Sequence, residues 1–330
     1  MRLGCLMCAF LAFVLSLIVW LTPAPAQSVD ELTASVVQIR TFINPDARTG
    51  ENLGREREGS GVVIDDNGLV LTIGYLMVEA HSAQITTNTG RTVSADVVGY
   101  DHDTGFGLLR ASQPLGVKAM PFGKSSDIKE DEPVIAMSYG GSGRALPVRV
   151  VSKRSFAGEW EYLLDSAFYT TPPHPFWSGA ALVSRNGKLV GVGSLIIGDI
   201  TGQNSRTPGN MFVPIDLLPP ILADLIADGR VAGSGRPWIG LTTREIGGRF
   251  IVVRVTPGGP AEKAGIVRGD IVNEVAGEQP KDLADFYRKI WAQGAAGVDV
   301  PLTVEHGGDD RPVTVKSINR LDHLRLKSTL

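Results

Sequence analysis

Five histidines, His81, His102, His174, His306 and His323, are the side chains of this chain that could exchange a proton near neutral pH. None falls in the His-Glu-x-x-His spacing that places two imidazoles and a base around a metal. Three acidic groups, Asp65-Asp66, Glu130-Asp131-Glu132 and Asp309-Asp310, have the type needed for paired-carboxylate chemistry. All three lie in turn-forming stretches and read as solvated loops. Tyr139-Gly140-Gly141-Ser142-Gly143-Arg144 is glycine-rich but lacks the lysine and following helix of a phosphate loop, so it reads as a turn. The only cysteines, Cys5 and Cys8, precede the globular part. No disulfide, thiolate nucleophile, metal site or cofactor is therefore expected there.

The elements that must position such side chains follow from composition and pattern. The chain has 330 residues, 43% apolar and 20% charged, which is globular composition long enough for two domains. A net charge of −3 supplies no basic surplus for a phosphate backbone, so nucleic acid is not an expected partner. Short β-branched runs flank turn signals, as in Gly61–Ile64 and Leu69–Thr72 around Asp65-Asp66-Asn67-Gly68, and Ala181–Ser184 and Lys188–Gly191 around Arg185-Asn186-Gly187. A mainly β barrel or sandwich follows. Residues 215–229 read as a helix with Pro219 and Pro220 in its first turn and Gly229 as its stop. A glycine-serine link at 232–235 precedes a second unit beginning at Arg236-Pro237. That unit holds a helix over 283–293, capped by Asp282 and carrying Leu283, Phe286, Tyr287, Ile290 and Trp291 on one face.

The apolar run from Leu3 to Leu21 after Arg2, ending in Ala24-Pro25-Ala26, reads as a secretory leader over residues 1–26. An uncleaved membrane anchor is the rival reading. Both export the folded part, to the periplasm or beyond, and only the second tethers it to a membrane.

Glu58-Gly59-Ser60-Gly61-Val62-Val63-Ile64 with Leu71-Thr72, then Ser178-Gly179-Ala180-Ala181-Leu182-Val183, then Asn210-Met211-Phe212-Val213-Pro214-Ile215-Asp216, resemble the trypsin-like domain of HtrA (Deg) proteases. Trp238-Ile239-Gly240-Leu241, Gly259-Pro260-Ala261-Glu262-Lys263-Ala264-Gly265 and Arg268-Gly269-Asp270 resemble their PDZ domain. The resemblance implies a trypsin-like double β-barrel of six strands each, over 27–232, followed by a small α+β PDZ domain over 233–322 and a tail over 323–330.

It also implies where catalysis would sit. A serine hydroxyl needs a histidine to take its proton and a carboxylate to orient that histidine. The family's histidine follows the Leu-Thr of the glycine-rich hairpin, where Thr72-Ile73-Gly74-Tyr75-Leu76 puts Tyr75, or after a one-residue shift Leu76. The family's aspartate falls on Gly105 within Asp101-His102-Asp103-Thr104-Gly105-Phe106-Gly107-Leu108-Leu109. Only the serine is kept, as Ser178, and the oxyanion-hole positions become Phe176 and Ser178. Loss of the base from such a site costs on the order of 10⁶ in turnover. His174, four residues before Ser178, has no orienting acid nearby in sequence.

The PDZ unit keeps its expected working parts. By resemblance a polypeptide C-terminus would add as a strand after Gly240, its carboxylate on the backbone N–H groups of Trp238, Ile239, Gly240 and Leu241, its side chains against Phe286 and Ile290. The alternative is a PDZ that packs on the barrel and regulates it. The expectation is an exported HtrA-like pseudoprotease that binds peptides or unfolded proteins, through this groove and the barrel cleft. The alternative function is an endopeptidase using Ser178 with a non-standard base. The family's habit of trimerising makes a homo-oligomer an expectation as well.

Overall fold

The computed structural model describes residues 28–202, 206–233 and 235–326, so the leader expected at 1–26 lies outside the described residues. Among those residues no helix is long and apolar enough to cross a membrane.

Strands β1 (Val36–Ile43), β2 (Glu56–Val63), β3 (Leu69–Ile73), β4 (Ala80–Thr86), β5 (Thr92–Tyr100) and β6 (Phe106–Ala111) close an antiparallel barrel in the order β1-β2-β3-β6-β5-β4. The turn between β2 and β3 is built by Asp65, whose carboxylate accepts from the N–H of Asn67 at 2.9 Å and of Leu69 at 2.7 Å, with Gly68 at φ 76°. A second barrel joins β7 (Pro133–Met137), β8 (Ala145–Gly158), β9 (Tyr162–Thr171), β10 (Ala181–Val183), β11 (Leu189–Ile197) and β12 (Gly209–Pro214) in the order β10-β11-β12-β9-β8-β7. Each barrel has its own apolar filling: Val37, Ile39 and Ile85 in the first, Val134, Leu182 and Phe212 in the second. A third cluster, including Leu71, Leu76, Val192 and Met211, joins the two barrels beneath their cleft.

The element expected over 215–229 divides in two. Ile215–Leu217 is a 3₁₀ turn, and the α-helix starts at Pro219, because prolines lacking an N–H suit a first turn. Gly229 ends it at φ 71°.

Strands β13 (Leu241–Ile246), β14 (Arg249–Val255), β15 (Ile271–Val275), β16 (Asp299–His306) and β17 (Asp309–Lys316) form one sheet in sequence order, leaving β13 at an edge. The Leu283–Trp291 helix is capped by the Asp282 carboxylate, which accepts from Asp285 N–H at 2.7 Å, and it buries Phe286, Tyr287 and Ile290. It stops two residues before the expected 293. Residues after the Arg320–His323 turn return to the first barrel, where Arg325 N–H donates to the Glu79 carboxylate at 2.6 Å.

Candidate functional site

Tyr75 rides on the 3₁₀ turn Gly74–Leu76 that follows β3. Buried Arg57 holds this turn from below, donating to the carbonyls of Tyr75 at 2.7 Å and Val78 at 3.0 Å, while Thr41 Oγ1 donates to Leu76 O at 2.5 Å. Burial pulls the Arg57 guanidinium down to about 10, so it stays a cation at neutral pH. Ser178 is fixed from the other barrel. Its carbonyl accepts from Ser60 N–H at 2.8 Å, and the next residue, Gly179 at φ 72°, sits where a Cβ would lie 1.9 Å from Ser60 O.

The two meet across the cleft, with Tyr75 Oη 2.7 Å from Ser178 Oγ. Tyr75 Oη also lies 2.8 Å from the Ser194 carbonyl, which can only accept. The single phenol proton therefore goes to Ser194, and the Ser178 hydroxyl donates to Tyr75. Burial pushes the Tyr75 phenol up to about 12, so at pH 7 only about one molecule in 10⁵ carries the phenolate that could take the serine's proton.

Gly105 is tied to the turn that carries Tyr75, its carbonyl accepting from Gly74 N–H at 2.7 Å. It adopts φ 80°, and a Cβ there would meet Tyr162 Oη at 3.0 Å. That hydroxyl donates to Thr104 O at 2.8 Å, so the space a side chain on Gly105 would take is filled by a phenol from β9.

Two residues before Ser178, Phe176 N–H donates to His174 Nδ1 at 3.1 Å. His174 Nε2 lies 3.0 Å from the Arg144 carbonyl, which assigns the ring proton to Nε2. Burial lowers this imidazole's pKa, keeping it neutral. Both its nitrogens are taken, and neither bonds Ser178. The other histidines are placed elsewhere. His81 is exposed on β4, His102 contacts Tyr100 and Arg320, His306 bonds the Asp270 carboxylate at 2.6 Å, and the His323 ring lies 4.9 Å from that of Trp238. A cleft of about 410 Å³ remains beside Ser178, lined by Glu58, Tyr139, Arg144, Phe176 and Trp177 among others, and by Ser138, whose buried hydroxyl has no partner.

The second candidate site brings together most of the expected groove. Gly240 adopts φ 84°, which turns three successive N–H groups to one side. Those of Ile239, Gly240 and Leu241 donate at 3.0, 2.6 and 2.8 Å to one carboxylate, that of Glu161. Trp238 is not a fourth donor as expected, because its N–H is spent on Ile318 O at 3.0 Å in the bridge that closes the domain. Glu161 belongs to the turn between β8 and β9, at φ 58° and 3% exposed. Burial pushes its carboxyl up to about 7, against the three N–H bonds and nearby Arg320, which pull it down.

Neighbouring contacts extend the match. Thr243 N–H on β13 donates to Glu159 O at 2.8 Å. Tyr287 Oη donates to Gly158 O at 2.6 Å and accepts from Glu161 N–H at 3.3 Å. Leu163 joins the apolar cluster that contains Ile239, Phe286 and Ile290. Arg244 grips the Glu159 carboxylate with bonds of 2.6 and 3.0 Å. Sequence reading missed Glu161 and Glu159. The one available signal was a hairpin turn spelled Glu159-Trp160-Glu161, with none of the glycine or asparagine that turns favour.

Comparison with known proteins agrees with this fold. The trypsin-like peptidase domain family matches residues 59–192, and the PDZ domain family matches 237–317. Serine protease PepD of Mycobacterium tuberculosis is 29% identical over 314 residues, covering 88% of this chain and 66% of its own length. A probable periplasmic serine endoprotease, DegP-like, of Halomonas elongata is 26% identical over 284 residues, covering 82% and 58%. The chain thus spans about three fifths to two thirds of these relatives. The solved HtrA-type protease AlgW with decapeptide is 19% identical, superposes with a TM-score of 0.53 and covers 91% of this chain and 98% of its own. The serine endoprotease from Yersinia pestis is 22% identical with a TM-score of 0.50, covering 88% and 98%. Two closed barrels, a serine on the cleft wall and a five-stranded domain with a carboxylate-binding loop thus go with a trypsin-like peptidase domain followed by a PDZ domain, the organisation of the HtrA proteases to which this chain is similar.

Proposed function

We propose that this HtrA-like chain is an exported polypeptide-binding protein whose barrel domain does not cut what it binds. The observation that carries this reading is the Tyr75–Ser178 hydrogen bond, in which the serine donates to a phenol that keeps its own proton. A nucleophile so placed has no base. The Phe176 N–H, committed to His174, and Gly105, walled in by Tyr162, support the same reading. Polypeptide C-termini are the proposed ligands, held on the N–H groups of Ile239, Gly240 and Leu241, with the cleft beside Ser178 as a second contact surface. Relatives described as periplasmic support the exported location.

The test treats purified protein and its Ser178→Ala variant with a fluorophosphonate probe and with an unfolded casein substrate. No difference between the two is expected in labelling or cleavage. Labelling or cleavage that requires Ser178 overturns the reading and leaves an endopeptidase with an unusual base.

A further inference from the structure

We infer that the β8–β9 turn is an internal ligand of the PDZ groove, with the Glu161 carboxylate in the place of a polypeptide's C-terminal carboxylate, so that an outside C-terminus binds only by displacing it. This competition rests on the reading above that the groove takes polypeptide C-termini.

The match is chemical and directional. The loop whose N–H groups would receive a terminal carboxylate has all three committed to a carboxylate already. The chain that supplies it runs from Glu159, beside Thr243 in the middle of edge strand β13, to Glu161 at the start of that strand. A strand added to this edge with its C-terminal end at Gly240 would run the same way. Leu163 adds an apolar side chain to the cluster that contains Ile239, Phe286 and Ile290. Tyr287, from the helix that walls the groove, bonds the turn's backbone at Gly158 and Glu161.

The seal is imperfect in ways that suit displacement. Glu161 holds φ 58°, a left-handed conformation that a side chain adopts at a cost, and the Thr243 hydroxyl is buried without a partner. Only one backbone hydrogen bond, Thr243 N–H to Glu159 O, ties the turn to β13. A longer extended ligand could make more. The Glu159–Arg244 pair further indicates the ligand's chemistry, since a side chain two residues before the terminus would meet the guanidinium. The favoured ligand is a carboxylate-terminated chain with an acidic residue at that place.

The test compares the full chain with Glu161→Gln, which keeps the side-chain shape, and Glu161→Gly, which removes the carboxylate and suits the left-handed backbone. One readout is hydrogen exchange of the 239–241 amides. The other is binding of a fluorescent pool of random decapeptides ending in a free carboxylate, with an amidated pool as control. Both variants are expected to exchange these amides at least tenfold faster and to bind the free-carboxylate pool at least tenfold more tightly than the parent chain, with circular dichroism confirming that they fold. Unchanged exchange overturns the closure by Glu161. Faster exchange with no free-carboxylate binding in any variant overturns instead the reading that the groove takes C-termini.

Discussion

The Tyr162 hydroxyl stands 3.0 Å from the point where a side chain on Gly105 would begin. The residue that fills that space thus comes from the same β8–β9 hairpin that carries Glu161, one position further along. Putting back a triad therefore takes more than restoring two residue types. The Tyr75→His, Gly105→Asp double variant is expected to label with a fluorophosphonate no faster than Tyr75→His alone. The aspartate must also adopt φ near 80°, which strains the fold by about 1–3 kcal/mol. A hundredfold gain in labelling from the second substitution would show that the carboxylate finds room, and would defeat this account.

Removing only the phenol oxygen, as in Tyr75→Phe, leaves the Ser194 carbonyl and the Ser178 hydroxyl without their partner. The expected loss is about 1–2 kcal/mol in urea denaturation. An unchanged midpoint would mean that the contact does not hold the two barrels' walls together.

The closing contact of Glu161 should weaken as pH rises. The groups around it are Arg320, Glu159, Tyr287 and the His102 ring that bonds its carbonyl. Burial holds His102 well below its ordinary pKa and Tyr287 well above, so neither titrates near neutrality. With Glu161 buried its carboxyl sits near 7, against an ordinary value of 4.5 when released. The closed form binds the proton more tightly, so closure is favoured in full below about pH 4.5 and loses that contribution as pH climbs through 7. The stability of the parent chain relative to Glu161→Gln, measured by denaturation from pH 5 to 8, should fall over that range. A difference independent of pH would contradict it.

Arg244 and Glu159 are both on the surface, so their pair should tune choice more than affinity. In a Glu161→Gly background, changing Arg244→Glu is expected to shift preference from peptides acidic two residues before the terminus to basic ones, by about two- to fivefold each way. Equal binding of both classes before and after the change would rule out Arg244 as a selector.

Much of the architecture could be read along the chain. Local turn chemistry at Asp65–Gly68 and Asn186-Gly187, the Asp282 cap and the short β-branched runs each act within a few residues, and the structure carries all of them. The helix expected over 215–229 was misjudged only at its start, where two consecutive prolines favour a first turn over an interior.

The sequence, through its resemblance to HtrA proteases, pointed to Tyr75, or Leu76 after a one-residue shift, and to Gly105 as the positions where a base and an acid would be sought. Only the tertiary structure decided where the tyrosine's one proton goes, since Ser194 lies 119 residues away. It alone joined Glu161 to a loop 78 to 80 residues later. Gly240 aims that loop's N–H groups locally, but the burial of Glu161 and its meeting with them come from packing two domains together, which no spacing along the chain encodes.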